Sequence, residues 1–97
     1  FNMESMTIKK PNYWDGKWRM AVFDIPEKRR SARDALRNML KRLEFYELQK
    51  SIFIYPYECT NELDYLIEFF RIRPYVRIIV ATELDNSTHL KNIFNLS

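Results

Sequence analysis

Apolar and polar residues change their spacing several times along the chain, and each change predicts an element boundary. Apolar residues alternate with other residues over 18–24, which predicts a strand that Pro26 ends, since proline has no N–H to donate to a ladder. From about residue 27 to 43 the apolar positions return at helical spacing, which predicts a first helix. This stripe consists of Ala32, Leu36, Met39, Leu40 and Leu43.

Residues 45–57 are rich in aromatic and β-branched side chains and have no helical period. They predict two strands, at about 45–50 and 51–57, joined by a tight turn or bulge near Gln49–Ser51. Thr60 or Asn61 is then the expected N-cap of a second helix over 61–71. A last strand follows Pro74 at 75–82, and because it is apolar on both sides we expect it to be central or covered on both faces.

The element order β-α-β-β-α-β predicts a ferredoxin-like α+β fold, with a four-stranded antiparallel sheet and two helices on one face. We expect three segments: a lead-in or linker over residues 1–17, the domain over 18–83, and a C-terminal tail over 84–97. The tail is either a short helix or an added edge element. Trp14 and Trp18 either cover an edge of the domain or contact another domain.

The second face of the predicted sheet has no helix assigned to it, yet apolar residues alternate onto it. A large open apolar face marks an interface. We therefore predict a homodimer in which two such faces meet. The residues expected there are Trp18, Met20, Val22, Ile52 and Ile54.

Composition narrows the class of protein. The 97 residues suit one domain, and the net charge of +3 with a pI near 9.1 is compatible with nucleic-acid binding. Cys59 has no second cysteine to pair with, which favours a reducing cytoplasm, and no apolar run reaches the length of a membrane span. Because the chain opens at Phe1, we expect a longer native protein with a further N-terminal domain, unless Met3 is the true start.

Candidate chemistry is concentrated where the first strand meets the first helix. Asp24 ends the strand, and the helix carries a second, basic stripe of Arg30, Arg33, Arg37 and Lys41 at spacings of three and four residues. Asp24 either caps or salt-bridges the next helix, or it binds a hard cation. The basic stripe is either a solvated face or a phosphate-binding one. The residues predicted to bind nucleic acid are Lys28, Arg29, Arg30, Arg33 and Arg37.

Several enzyme classes are excluded or disfavoured by the sequence. A chain with one glycine cannot build a glycine-rich phosphate loop. Cys59 and His89 are each isolated, so no zinc-binding pattern is present. His89 lies in the polar tail, where we interpret it as a surface residue.

Four longer segments resemble a known family: Trp14-Asp-Gly-Lys-Trp-Arg, Val22-Phe-Asp-Ile-Pro-Glu-Lys-Arg-Arg, Leu48-Gln-Lys-Ser-Ile-Phe-Ile-Tyr-Pro-Tyr and Ile72-Arg-Pro-Tyr-Val-Arg. Together they look like the central domain of the phenylacetate-degradation repressor family, the PaaX-like regulators, over about residues 7–83. This resemblance implies a dimerising or effector module that follows a winged-helix DNA reader.

The same segments are similar to CRISPR-associated protein two, whose first strand ends in Tyr-Asp-Ile. In that group the strand-ending aspartate is the proposed metal ligand of a nuclease, one from each protomer, and Asp24 matches its position. The resemblance thus implies Mg²⁺ and endonuclease activity as an alternative, with Asp24 both catalytic and metal-binding. Phe23 and Pro26 depart from that pattern. We therefore favour the non-enzymatic transcription regulator.

Overall fold

The computed structural model describes residues 5–96, so the expectations about Phe1 and Met3 lie outside the described residues. The predicted strands and helices are confirmed, with ends that differ by at most three residues. They are β1 (Trp18–Phe23), α1 (Arg30–Arg42), β2 (Tyr46–Gln49), β3 (Ile52–Tyr55), α2 (Thr60–Phe70), β4 (Val76–Ala81) and α3 (Ser87–Ile93). Short 3₁₀ turns at Glu27–Arg29 and Arg73–Tyr75 lead into α1 and β4.

The four strands form one antiparallel sheet in the order β2-β3-β1-β4. Helix α1 connects β1 to β2, and α2 connects β3 to β4, and in each case the two strands are not adjacent in the sheet. Right-handed crossovers place both helices on the same face of the sheet. This is the predicted ferredoxin-like α+β fold. Its consequence for the candidate site is that β1, which ends next to Asp24, lies in the interior of the sheet.

The main core fills the space between the sheet and these two helices. Phe23 and Phe53 point into it from neighbouring strands, with their rings stacked at 6.0 Å between centroids. Leu40 of α1 and Leu66 of α2 are completely buried against them. The lead-in also contributes Met6 and Ile8 to this core. Burial of this apolar area is the main force that fixes α1, and with it the basic stripe, on the sheet.

The second face of the sheet is partly covered, which differs from the expectation that no helix lies on it. Leu90 of α3 is buried in a second cluster with Trp18 and Ile54, and Trp14 packs on Trp18 at 4.9 Å between ring centroids. His89 adds a contact, because its Nε2 atom lies 3.4 Å from the Tyr46 hydroxyl. The tail therefore forms a helix and not an edge element.

Part of the second face extends from this cluster towards the N-terminal ends of β3 and β4, beginning at Met20, which packs against the cluster. Strand register places Met20 beside Ile54 and Ile79 in one row, and Val22 beside Ile52 in the next. Met20, Val22 and Ile52 are half-buried and Ile79 is exposed. We name these four residues the open patch. It is smaller than the face expected from the sequence.

The prediction that the last strand is central or doubly covered was wrong. β4 is an edge strand, with Ile79 exposed by 41% on one face and Val80 by 52% on the other. The ferredoxin-like order itself places the last strand at an edge, so the topology was a better guide than the apolar composition. An apolar edge strand of this kind presents both unpaired backbone groups and exposed side chains.

The hairpin bulge and the N-cap of α2 are two local features that the sequence predicted. The bulge in the hairpin is confirmed, since the β2–β3 register shifts between Glu47 and Gln49, and Lys50 and Ser51 form the turn. The N-cap of α2 was wrongly predicted: α2 begins at Thr60 and its N-cap is Cys59. There the Glu58 carboxylate accepts the Thr60 N–H at 2.8 Å, so the acid before the helix satisfies one of its free donors.

Helices long and apolar enough to cross a membrane are absent from residues 5–96.

Candidate nucleic-acid interface

Asp24, the N-terminal turn of α1, the β2–β3 turn and the start of β4 meet at one end of the sheet. The Phe23 N–H donates to the Ser51 carbonyl at 3.0 Å, and the Asp24 N–H donates to the Tyr75 carbonyl at 2.8 Å. These two bonds fix β1 between the hairpin turn and the start of β4. Residues far apart in the sequence are therefore held together here on rigid elements.

The first turn of the basic stripe is partly neutralised by Glu27. The Glu27 carboxylate is 3.1 Å from Arg30 Nη1 and 3.2 Å from Arg33 Nη2. Arg33 also donates through Nη1 to the Ile25 carbonyl at 3.4 Å. The stripe contains no acid of its own, yet this carboxylate from the preceding turn orients two of its cations.

Arg29 bonds to the end of α2. Its Nη2 donates to the Phe70 carbonyl at 2.6 Å and its Nη1 to the Arg71 carbonyl at 3.0 Å. The last carbonyls of a helix have no partners within the helix and attract a cation. Arg29 is therefore committed to joining α1 and α2. Lys28 beside it is exposed and has no ion pair or hydrogen bond with residues 5–96.

Arg37 connects α1 to the hairpin. It donates through Nη1 to the Lys50 carbonyl, pairs through Nη2 with Glu47 at 3.2 Å, and lies over the Phe53 ring with its Cζ 5.5 Å from the centroid. Lys41 reaches the same Glu47 carboxylate at 3.5 Å. These contacts limit the freedom of the Arg37 guanidinium, so less rotamer entropy is lost when it binds a further group.

A cleft of about 400 Å³ lies where α1 faces the hairpin turn. It is lined by Arg33, Arg37 and Lys50, together with Ser51 and one acid, Asp34. The lining residues thus carry three cations, a hydroxyl and one carboxylate, while Glu27 and Glu47 outside the cleft pair with Arg33 and Arg37. Such a cleft suits the phosphate oxygens of a nucleic-acid backbone, which bind arginine, lysine and hydroxyl donors.

Asp24 is exposed and lies outside this cleft. Its carboxylate has no hydrogen bond or ion pair with any residue in 5–96, so it does not cap α1. It lines a separate depression of about 290 Å³ with Val22, Tyr75 and Arg77. The carboxylate is thus available to a ligand, beside the cation of Arg77 and next to the open patch.

Metal ligation within one protomer finds little support in the geometry. Residues 5–96 contain no group of three or more histidine, cysteine, aspartate or glutamate side chains that could share an ion. Asp24 is therefore a single carboxylate, and Mg²⁺ in proteins is bound through one or two carboxylates together with waters and substrate phosphates. Cys59 is completely buried, and this burial raises the pKa of its thiol to about 12.

The sequence did not indicate three of the residues that line the depressions at this end of the sheet. They are Lys50, Ser51 and Arg77. Lys50 and Ser51 form the turn of the predicted hairpin, but only the pairing of β3 with β1 brings that turn beside α1. Arg77 faces Val22 across the β1–β4 pair. The register between strands cannot be deduced from periodicity alone. The position of the hairpin turn could be, because residues 45–57 have the composition of two strands with a turn near Gln49–Ser51.

The Trp14-Asp-Gly-Lys-Trp-Arg segment has a structural role at the opposite end of β1. Arg19 is only 5% exposed, and its guanidinium binds Asp15 with Nη1 to Oδ1 at 2.9 Å and Nη2 to Oδ2 at 2.7 Å. Arg19 Nη1 also donates to the carbonyls of Lys17 and Pro56. We name this bidentate pair the Asp15–Arg19 clamp. It anchors the lead-in to the sheet.

The fold and the basic cleft define a small ferredoxin-like domain with a phosphate-compatible surface at one end of its sheet. The chain belongs to the family described as the PaaX protein central Cas2-like domain, whose family model matches residues 11–93. This confirms the resemblance to PaaX-like regulators. Neither the curated proteins nor the solved structures contain a match to the chain.

Proposed function

We propose that this domain is the dimerising, nucleic-acid-associated central domain of a PaaX-like transcription regulator. The cleft lined by Arg33, Arg37 and Lys50 is the observation that carries the proposal. It is supported by family membership and by a basic balance of charge over the chain. The domain contacts the backbone of DNA, and a winged-helix segment of the regulator reads the sequence, as the resemblance implies.

Backbone contact without base reading follows from the kind of donors that the cleft offers. Lysine and arginine side chains on one helix and one turn bind phosphates irrespective of the base. Lys28 in the preceding 3₁₀ turn and Arg30 at the start of α1 extend the same basic surface, and both are exposed. Arg29 contributes positive potential to this surface while its guanidinium stays bonded to α2. The domain therefore strengthens and positions binding, and specificity comes from elsewhere in the regulator.

Reversing the charge of Lys28 and Lys50 together is the direct test. Because both are exposed side chains, Lys28→Glu/Lys50→Glu is expected to leave the fold intact. We expect it to weaken binding to a short DNA duplex by about tenfold or more, and to reduce the slope of log affinity against log salt by about 2, since each lost phosphate contact removes roughly 0.9 from the slope. Fluorescence anisotropy titrations at several salt concentrations measure both quantities.

The matched control changes the same charge at the other end of the sheet. Lys17 is exposed and precedes β1, so Lys17→Glu paired with Lys9→Glu has the same net charge as the test variant. This control is expected to retain the wild-type salt slope. Equal slopes for the test variant and the wild type would remove the basic cleft from the proposal, whatever the absolute affinity.

A second candidate function rests on the exposed, unpartnered carboxylate of Asp24. In a dimer formed through the open patch, the Asp24 carboxylates of the two protomers would approach the symmetry axis and together supply two carboxylate ligands, where one protomer supplies one. Mg²⁺ bound there with waters would activate one of them for attack on a phosphodiester. This is the metal-dependent endonuclease alternative, and it requires the dimer.

Asp24→Asn separates the two candidates. For an endonuclease, the substitution is expected to abolish Mg²⁺- or Mn²⁺-dependent cleavage of duplex DNA while the dimer persists, because the amide is a far weaker ligand for a hard cation. Asp85→Asn, an exposed change beyond β4, is the control. For a regulator, the wild type shows no more DNA cleavage than a reaction without protein. Cleavage that survives Asp24→Asn places the activity outside this site.

A further inference from the structure

A second pocket lies beside the Asp15–Arg19 clamp and has a character opposite to that of the basic cleft. Its volume is about 250 Å³, which is smaller than the pockets that enclose whole cofactors or drug-sized ligands. Tyr13, Pro56 and Tyr57 supply flat apolar walls, and Arg19, Asp15 and Glu58 supply the charges. A pocket of this size accepts one or two side chains of a polypeptide.

The charges around this pocket disfavour a phosphate. Hydrogen bonds from Arg19 hold the pKa of Asp15 at about 2, and those from Thr60 lower the pKa of Glu58. Both carboxylates are therefore ionised at neutral pH. Arg19 is the one cation among the residues that line the pocket, and Lys17 lies outside the lining but near Asp15. On a domain whose net charge is +3, this is a local inversion that repels nucleic acid and attracts a cation.

Arg19 carries a donor that nothing satisfies within the described part of the chain. Its Nε–H is buried and has no hydrogen-bond partner, although Nη1 and Nη2 are bonded to Asp15, Lys17 and Pro56. A buried donor without an acceptor raises the free energy of the folded state. Because Arg19 lines the pocket, a neutral carbonyl oxygen bound there lies beside this guanidinium and adds no negative charge to a pocket that already holds two carboxylates.

Tyr13 supplies the third feature, because its ring is 79% exposed at the mouth of the pocket. The exposed face of a tyrosine ring attracts a lysine or arginine side chain, and neighbouring carboxylates strengthen that attraction. Tyr57, which is half-buried in the pocket wall, offers an aromatic face of the kind against which proline rings pack. Together these groups match an extended peptide that carries a basic residue beside a proline.

We propose that the pocket formed by Tyr13, Asp15, Arg19, Pro56, Tyr57 and Glu58 is a docking site for a basic, proline-containing segment of a partner protein. A backbone carbonyl of the segment accepts from Arg19. Its basic side chain lies between the Tyr13 ring and the carboxylates. This surface is separate from the basic cleft, so one domain binds a polypeptide and a nucleic acid at opposite ends of β1.

The test uses blocked Pro-Arg and Pro-Glu dipeptides as probes for the whole domain. Titration is followed by two-dimensional amide NMR, in which the Trp14 indole N–H is a reporter because it donates to the Lys17 carbonyl beside the pocket. We expect saturable shifts around the pocket with Pro-Arg at millimolar concentration and none with Pro-Glu. Tyr13→Ala and Glu58→Gln are each expected to weaken Pro-Arg binding by about fivefold or more.

Phe69→Ala is the matched control, since it removes an exposed aromatic ring from α2 outside the pocket and should leave the affinity unchanged. Absence of saturable shifts with Pro-Arg overturns the proposal, and so does equal binding of Pro-Glu. Unchanged affinity in both Tyr13→Ala and Glu58→Gln overturns it as well. DNA binding is measured in parallel on Tyr13→Ala, so failure of the peptide site is distinguished from failure of the nucleic-acid function.

Discussion

Replacing Asp15 with alanine is expected to lower the free energy of unfolding by about 2 kcal/mol, because it removes the charged acceptor of two hydrogen bonds from a buried guanidinium. Arg19 is almost fully buried, and both of its Nη atoms bind the Asp15 carboxylate. In a domain of this size the loss corresponds to a fall in melting temperature of roughly 10 °C or more. Urea and thermal unfolding followed by circular dichroism measure both effects.

A double-mutant cycle shows whether the unpaired cation causes the loss. Arg19→Met replaces the guanidinium with an apolar side chain of similar length, and such replacements of buried ionic groups are often well tolerated. We expect Asp15→Ala/Arg19→Met to be more stable than Asp15→Ala alone. If the stability losses of Asp15→Ala and Arg19→Met simply add in the double variant, the Asp15–Arg19 clamp contributes packing and not charge pairing.

The clamp also predicts how stability depends on pH. The pKa of Asp15 is lowered from 3.8 to about 2 in the folded protein, chiefly by the hydrogen bonds from Arg19. The unfolded chain therefore binds the proton of Asp15 more tightly than the folded protein does. The contribution of Asp15 to the free energy of unfolding is complete above about pH 4 and is lost as the pH falls towards 2. Because Asp15 is partly exposed, solvent screening limits this pH-dependent part to about 1 kcal/mol. The difference in stability between wild type and Asp15→Ala is expected to shrink over that range.

Element order and type were predictable because each element has its own period. The stripe of α1 and the alternation of β1 follow directly from burial of one face against a common core, so the ferredoxin-like fold could be deduced. The position of β4 was misjudged because apolar composition was taken as a sign of burial. The partial cover provided by α3 could not be foreseen, since a seven-residue helix gives too short a pattern.

The candidate site was predictable in part. The line of cations on α1 was visible in the sequence, but its ion pairs were not, because Glu27 and Glu47 come from other elements. The Asp15–Arg19 clamp had a local signal in the spacing of an acid and a base four residues apart. Its burial had none, since an arginine in a strand is usually exposed and only the neighbouring Pro56 carbonyl and the packed lead-in exclude water.

Replacing Ile79 with glutamate is expected to break the proposed homodimer while the monomer stays folded. Ile79 is 41% exposed, so a carboxylate at this position reaches water in the monomer. In a dimer that joins the open patches of two protomers, the same carboxylate is buried without a partner in each copy, which costs several kcal/mol. We expect the dissociation constant to rise by at least about a hundredfold. Sedimentation equilibrium measures it.

Val80→Glu is the matched control, because Val80 is the next residue of the same edge strand and is exposed by 52%. It pairs with Arg19 on the face that carries α1 and α2, whereas Ile79 pairs with Met20 on the face of the open patch. Loss of the dimer in Ile79→Glu alone supports pairing through the open patch. Equal loss in both variants assigns the contact to the free edge of β4, and a monomeric wild type contradicts the dimer altogether. In either of those outcomes the two Asp24 carboxylates are not brought together by the open patch, and the endonuclease alternative loses its second ligand.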